Sequence, residues 1–171
     1  AGDGAFDAVE AVACGEEVVE GLCVALGRMT SLAGGAPRQK LTHFHSVQPP
    51  AISVSDYVRR IRQFFHCSHE CYVLGIVYID RLIKRHPEIV VSSLSCHRLI
   101  ACSMTLAAKF QDDVFYANAF YSKVTGIKLV ELNSLEHTML KLLDWRLSVS
   151  PVEFEMYRQI LCQAAQAAAE A

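Results

Sequence analysis

The chain has 171 residues, of which 52% are hydrophobic and 20% are charged, a composition that suits a packed globular domain and excludes a disordered chain. Its formal net charge of −2 provides no general attraction for nucleic-acid phosphates or anionic lipids, so we expect neither nucleic acid nor membrane as a partner. No apolar run approaches the roughly 20 residues that cross a bilayer.

The N-terminal stretch and the cysteines indicate the compartment. The first 17 residues contain five acidic side chains, whereas a secretory signal begins with positive charge. The seven cysteines include no CxxC pair and fall mostly within apolar helical patterns, as is typical of reduced, buried thiols. We therefore expect an intracellular protein of the cytoplasm, the nucleus or both.

Hydrophobic periodicity predicts a first helix over about residues 5–27, weakened by Gly15. Gly34, Gly35 and Pro37 are expected to end it. The segment LTHFHSVQPP (41–50) is predicted to be extended, because consecutive prolines exclude a helix there.

Three further helices are predicted in the middle of the chain. The first is amphipathic, begins at Ser53 and runs to about residue 65. The second covers 69–85, is apolar at almost every position through Ile79 and is closed by His86-Pro87. The third runs to Lys109 with no charge between Arg98 and Lys109, and the serines at 92, 93 and 95 are its expected caps.

The remaining pattern is also helical. We predict a short helix over 115–124 stopped by Thr125-Gly126, a longer one over 128–145, and a last one whose start is marked by SPVE (150–153). Because no segment alternates with period 2, the predicted fold class is all-α. The expected organisation is an N-terminal helix and linker over 1–40, a five-helix domain over 41–149 and a C-terminal helix over 150–171.

Three local sequences point to a known family. YIDRLIKR (78–85), LAAKFQDD (106–113) and LEHTMLKLLDWRL (135–147) resemble consecutive segments of the cyclin box, and the order of the five helices agrees over about 41–160. The lead-in, NAFYSKVTGI (118–127) and ELNSLE (131–136) resemble the single-box P/U-type, or phosphate-signalling, cyclins. The resemblance implies a cyclin-box domain of five helices around a central helix, with extra helices at both ends.

The resemblance also implies a function. It is that of a non-catalytic subunit, which binds and activates a cyclin-dependent protein kinase and influences which protein substrates the complex selects. Phosphate sensing and the cell cycle are both open as pathways. We expect no cofactor, since no phosphate-binding glycine loop and no nucleophile–base set is recognisable.

Two alternatives come from other classes of protein. One is a nucleic-acid adaptor resembling the cyclin-fold transcription factors, although those carry two repeats and a basic surface. The other is an enzyme that uses Lys109 as a Schiff-base lysine, which borohydride trapping would reveal.

The resemblance assigns the kinase-binding residues. It implies that Lys109 and Glu136 form the charged pair that binds the kinase, and a lysine at a helix C-terminus suits the macrodipole while its stem covers the core. It also implies a surrounding surface of Leu106, Phe110, His137, Leu140, Trp145 and Leu147. Asp112 and Asp113 are expected to face the kinase activation segment. We expect alanine at Lys109 or Glu136 to leave the isolated fold nearly intact.

Two further clusters have competing interpretations. Arg59, Arg60 and Arg62 form a basic edge, either a solvated helix face or a substrate-docking patch, whose family pattern YVRRIRQFF matches only loosely. HCSHEC (66–71) offers two histidines and two cysteines, but their spacing fits no standard structural zinc site, so we expect no metal. His43 and His45 are expected to pack or bridge in the lead-in.

Overall fold

The computed structural model describes residues 3–34 and 40–171, with side chains from residue 14 onward. These residues contain seven helices and no strand, which confirms the all-α prediction. The helices are α1 (Asp3–Ala33), α2 (Val54–Phe64), α3 (Glu70–Arg85), α4 (Cys96–Gln111), α5 (Asn118–Thr125), α6 (Leu129–Leu142) and α7 (Pro151–Ala169). None of the described helices is long and apolar enough to cross a membrane.

The two uniformly apolar helices, α3 and α4, lie at the centre of the molecule. α4 contacts α2, α3, α5 and α6, and from Cys96 to Ala108 its side chains are buried with the exception of Arg98. Burying each large apolar side chain stabilises the fold by roughly 1.5–3 kcal/mol. The uncharged stretch of α4 is thus its buried length, and Lys109 is the residue at which the helix reaches the surface.

α1 packs along α7 and also contacts α2 and α3. A Cβ atom on Gly21 would lie 1.9 Å from the carbonyl oxygen of Leu161, and one on Gly15 would lie 2.5 Å from the His69 ring. These glycines therefore permit close packing, and α1 continues past the predicted end at residue 27 to Ala33. Gly35 and Pro37, two of the predicted breakers, lie outside the described residues.

Two of the three predicted helix caps have the expected geometry. Ser53 accepts a hydrogen bond from the Asp56 N–H at 3.0 Å, and Ser150 accepts one from the Glu153 N–H at 3.2 Å. Ser95 occupies the cap position of α4, but its hydroxyl donates to the Val90 carbonyl and makes no capping bond to the helix. The Ser95 hydroxyl is thus used by the preceding loop, and the predicted serine cap of α4 does not form.

Two further predicted helix boundaries are wrong. α5 begins at Asn118 instead of residue 115, because Ala117 is extended with ψ 155° and the Tyr116 N–H donates to the Tyr121 hydroxyl at 3.1 Å. α6 ends at Leu142 instead of residue 145, because Asp144 and Trp145 adopt positive φ angles of 56° and 57°. The resulting turn leaves the Trp145 side chain 62% exposed.

Candidate functional site

Lys109 and Glu136 meet where the end of α4 passes the middle of α6. The Lys109 Nζ atom lies 2.6 Å from Glu136 Oε1, and the two side chains are 32% and 12% exposed. Both are held by well-packed helices, since α4 is buried up to Ala108 and α6 buries Leu132, Leu135 and Met139. The structure therefore holds this partly buried ion pair between two well-packed helices.

Asn118, the first residue of α5, joins this pair. Its side-chain oxygen accepts from Lys109 Nζ at 3.2 Å, and its Nδ2 donates to Glu136 Oε2 at 2.6 Å. The same Nδ2 donates to Asn133 Oδ1 at 2.8 Å. The resulting network links α4, α5 and α6, so the pair also has a structural role that the sequence analysis did not predict. In contrast to the expectation from the sequence, alanine at Lys109 or Glu136 is therefore expected to reduce the stability of the isolated fold.

The other predicted site residues differ in how much of each side chain is exposed to solvent. Phe110 is 50% exposed, Trp145 is 62% exposed, and His137 is exposed on α6. Leu140 and Leu147 are half-buried and pack against the core. Leu106 is only 3% exposed, so the prediction that it lies on the surface is wrong. Its side chain belongs to the buried core.

The loop after α6 is held in place by α3. The Tyr78 hydroxyl donates to the Leu147 carbonyl at 2.9 Å. Arg81 donates to the Arg146 carbonyl at 2.9 Å and to the Ser148 carbonyl at 3.0 Å. These bonds satisfy loop carbonyls and fix the loop that carries Trp145 and Leu147.

The two aspartates after α4 have different environments. Asp112 accepts hydrogen bonds from the Ser68 N–H at 2.9 Å and the Ser68 hydroxyl at 2.5 Å, and thereby ties the end of α4 to the start of α3. The expectation that Asp112 faces a partner is therefore corrected, because its carboxylate is used within the chain. Asp113 is exposed beside it, and its role stays a prediction.

An apolar loop between α4 and α5 was missed as part of this surface. Val114, Phe115 and Tyr116 are 76%, 51% and 38% exposed, and the Tyr116 ring stacks on Phe120 with centroids 4.3 Å apart. The sequence analysis placed Phe115 inside a helix, where an aromatic residue is normally buried. The pair Asp112-Asp113 is the sequence signal that could have revealed this loop, because it indicates a turn before the apolar residues.

α1 lies beside the basic edge of α2 and forms ion pairs with it. Arg59 contacts Glu20 at 3.1 Å and Arg62 contacts Glu16 at 2.6 Å, while Arg60 donates to the Val124 carbonyl at 2.7 Å. Arg59 and Arg60 remain exposed, so the edge is a solvated helix face with surface ion pairs, and a substrate-docking role stays a prediction. Both carboxylates come from a helix whose sequence gave no sign of lying there.

The HCSHEC segment forms the junction between α2 and α3. Cys71 is fully buried, Cys67 is half-buried, and the His69 Nε2 lies 3.9 Å from Glu16 Oε1. In the part of the chain with described side chains, no three His, Cys, Asp or Glu residues are grouped to hold a metal ion.

His45 in the lead-in accepts a hydrogen bond from the Thr42 N–H at 3.0 Å. This is the bridging role expected for the lead-in histidines.

Several cysteines elsewhere are held as neutral thiols. Burial raises the pKa of Cys23 to about 11 and that of Cys96 to about 12. Burial also raises the pKa of Cys102 well above its usual value. Because the thiolate is the reactive and metal-binding form, these side chains act as core residues.

Comparison with known proteins agrees with this architecture. Residues 27–147 match the family model described as Cyclin. The chain is 45% identical to Cyclin-U1-1 of Arabidopsis thaliana over 119 residues, which is 70% of this chain and 57% of that protein. It is 39% identical to Cyclin-P4-1 of Oryza sativa subsp. japonica over 127 residues, which is 74% of this chain and 60% of that protein.

A third relative gives the same result. Cyclin-P3-1 of Oryza sativa subsp. japonica is 43% identical over 116 residues, which is 68% of this chain and 49% of that protein. The matched region thus spans about half to three-fifths of the length of these curated relatives. The three segments that resemble the cyclin box all lie inside the region matched by the family model. The chain belongs to the cyclin family, and plant U-type and P-type cyclins are among its relatives.

Proposed function

We propose that this chain is a non-catalytic regulatory subunit that binds and activates a cyclin-dependent protein kinase and influences its choice of protein substrates. Membership of the cyclin family supports the regulatory role. The observation that carries the proposal is the half-buried Lys109–Glu136 pair at the end of α4. In this proposal, catalysis belongs to the kinase.

The charged pair retains hydrogen-bonding capacity for a partner. An ammonium group has three donors, and contacts to Glu136 and Asn118 account for two of those of Lys109. The Glu136 carboxylate accepts one bond at each oxygen from these two residues and has further lone pairs. A partner that offers a main-chain carbonyl to Lys109 and an N–H group to Glu136 fits this arrangement.

Apolar side chains follow each member of the pair along the chain. Phe110, next to Lys109, and Trp145, after the end of α6, are exposed, and Leu140 and Leu147 are half-buried. A few desolvated anchors surrounded by apolar contacts that exclude water are the usual source of binding energy at protein interfaces. The mobile regulatory helix of a kinase, which carries apolar and polar residues on one face, is the partner that we infer for this surface.

Activation follows from binding one state of the kinase more tightly than the other. A kinase is active when its regulatory helix positions the lysine–glutamate pair of the ATP site and its activation segment is ordered. A rigid surface that fits only the active position of this helix shifts the equilibrium toward that position. Asp113 is exposed four residues after Lys109, and the proposal gives its carboxylate the role of pairing with basic groups of the activation segment.

The test is to measure the affinity of the chain for a panel of purified cyclin-dependent kinases and to compare Lys109→Ala and Glu136→Ala. Removing one member of a charged set desolvated at an interface is expected to cost roughly 2–5 kcal/mol of binding. Phosphotransfer is expected only when a kinase is present. Kinase-free chain that transfers phosphate would contradict the non-catalytic role.

The matched control is Lys84→Ala near the end of α3. Lys84 also forms a lysine–carboxylate pair, at 2.6 Å from Asp80, and its side chain is 70% exposed. We expect this variant to keep full kinase affinity. Folded Lys109 and Glu136 variants that bind as tightly as the control would show that the kinase-binding assignment is wrong.

A further inference from the structure

We propose that Asn118 is the positioning residue of the kinase-binding surface, because its side-chain amide orients Lys109 and Glu136 before any partner binds. The inference rests on the proposed function and adds to it the residue that prepares the charged pair. No part of the family resemblance assigned a role to this asparagine. The argument comes from its contacts.

The oxygen and the nitrogen of the Asn118 amide each face a group of opposite polarity. Its oxygen faces the Lys109 ammonium at 3.2 Å, and its nitrogen faces the Glu136 carboxylate at 2.6 Å. The reversed amide would place an NH₂ group against the ammonium and an oxygen against the carboxylate, so electrostatics selects the observed orientation. An aspartate at this position would repel Glu136, and an alanine would leave both groups without this contact.

The amide itself is held from the other side. Nδ2 of Asn118 also donates to Asn133 Oδ1 at 2.8 Å, and residue 118 opens α5 directly after the extended Ala117. The position of α5 therefore determines where the amide lies, and the amide determines where the lysine head group lies.

Such orientation matters for affinity because a lysine side chain has many rotamers. Ordering a rotamer-rich side chain at an interface reduces affinity. In this chain the ordering occurs during folding, since Lys109 Nζ is already bound to both Glu136 and Asn118. A kinase therefore binds a charged pair whose side chains are already ordered.

The experiment compares Asn118→Ala, Asn118→Asp and Asn133→Ala in affinity for the kinase found by the preceding test. Restoring rotamer freedom to one side chain corresponds to about a 3- to 10-fold loss of affinity for Asn118→Ala. Asn118→Asp is expected to lose more, because the new carboxylate competes with Glu136 for Lys109. Asn133→Ala removes only the support of the amide and keeps its bonds to the pair, so its loss of affinity is expected to be smaller than that of Asn118→Ala. Lys84→Ala is the control that keeps full affinity.

A double-mutant cycle separates positioning from a general structural effect. In the Lys109→Ala background, Asn118→Ala is expected to have a smaller further effect on affinity than in the wild type, because only Glu136 remains for the amide to orient. An equal loss in both backgrounds would overturn the positioning role. So would wild-type affinity in folded Asn118→Ala.

A measurement on the free chain requires no kinase. The Lys109 ammonium is expected to give a slowly exchanging ¹⁵N NMR signal in the wild type, and this signal is expected to broaden in Asn118→Ala. A wild-type Lys109 ammonium that exchanges as fast as that of exposed Lys141 would overturn the inference even if the variant did not fold. If Lys109→Ala and Glu136→Ala leave kinase affinity unchanged, the proposed function fails and this inference fails with it; if only Asn118→Ala has no effect, the proposed function stands.

Discussion

Two charged clusters are conspicuous in this chain, and the fold treats them differently. The basic edge of α2 lies beside α1, where Arg59 and Arg62 face Glu20 and Glu16 in pairs that remain partly exposed to solvent. Lys109 and Glu136 are less exposed, because they lie between packed helices and share hydrogen bonds with Asn118. A charged pair thus has a defined geometry where packed helices surround it, and much less so on an open helix face.

The two clusters also differ in burial. The side chains of the Arg59–Glu20 pair are 53% and 49% exposed, and such surface pairs contribute about 0–1 kcal/mol to stability. Glu136 is 12% exposed and bonds to both Lys109 and Asn118. Packing of α1 on α7, more than its ion pairs, therefore keeps α1 beside the basic edge.

The largest effect is expected for Gly21→Ala, which tests this packing. Its Cβ atom would lie 1.9 Å from the Leu161 carbonyl oxygen, so α1 and α7 must move apart. We expect a loss of about 3 kcal/mol in the free energy of unfolding, at the upper end of overpacking effects. Urea denaturation of the purified chain measures it.

Gly27→Ala is the matched control for this variant. No atom lies within 4 Å of a Cβ at Gly27, so alanine there is expected to stabilise α1 by about 0.5–1 kcal/mol. If both glycine variants had the same effect, close packing at Gly21 would not be what holds α1.

Asp112→Ala tests the support next to Lys109. The substitution removes the acceptor of the Ser68 N–H and of the Ser68 hydroxyl, which keeps only its contact with Cys71 Sγ. Because Ser68 is half-buried, we expect a loss of about 1–2 kcal/mol. Asp113→Ala is expected to change stability by less than about 0.5 kcal/mol. Thermal unfolding of both variants checks the difference, and equal stabilities would contradict the role given to Asp112.

Glu136→Ala and Glu20→Ala compare the two clusters directly. The first removes the acceptor that Lys109 and the Asn118 amide share, so that they keep only the bond between them and the bond to Asn133, and we expect a loss of about 1–2 kcal/mol. The second removes an exposed pair and is expected to cost less than about 0.5 kcal/mol. Chemical denaturation at two salt concentrations tests this, since the smaller effect alone should vanish at high salt.

The smallest effect concerns pH and His97, which lies beneath α2 with its ring 4.9 Å from that of Tyr57. Burial lowers the pKa of His97, against a smaller opposing effect of the hydrogen bond to the Ile52 carbonyl. The unfolded chain therefore takes up a proton near pH 6.5 that the folded chain does not, and stability falls as the pH drops below this value. The loss between pH 7.5 and 6.0 is expected to be no more than about 1 kcal/mol.

His97→Gln keeps a donor for Ile52 but cannot titrate, so its stability should depend less steeply on pH. Burial also lowers the pKa of His45, and this contribution is the same in both proteins. Unfolding curves at several pH values give the difference in slope, and identical slopes would contradict a neutral, buried His97.

The sequence by itself determined the helices and their order. The apolar faces of α3 and α4, the serines that cap α2 and α7 and the stop at Gly126 are all local signals, and they act through contacts a few residues apart. The family resemblance likewise depends on local segments, and it singles out Lys109 and Glu136, whose charged groups lie 2.6 Å apart in the structure.

Tertiary structure decided which charged groups meet. The bond from Asn118 to Glu136, the ion pairs of α1 with Arg59 and Arg62, and the bond from Asp112 to Ser68 join residues that are 18 to 46 positions apart. The burial of Leu106 and the exposure of Trp145 follow from neighbouring helices and from a left-handed turn. Such features depend on how helices pack in three dimensions, and periodicity along one helix carries no information about the side chains that another helix brings to it.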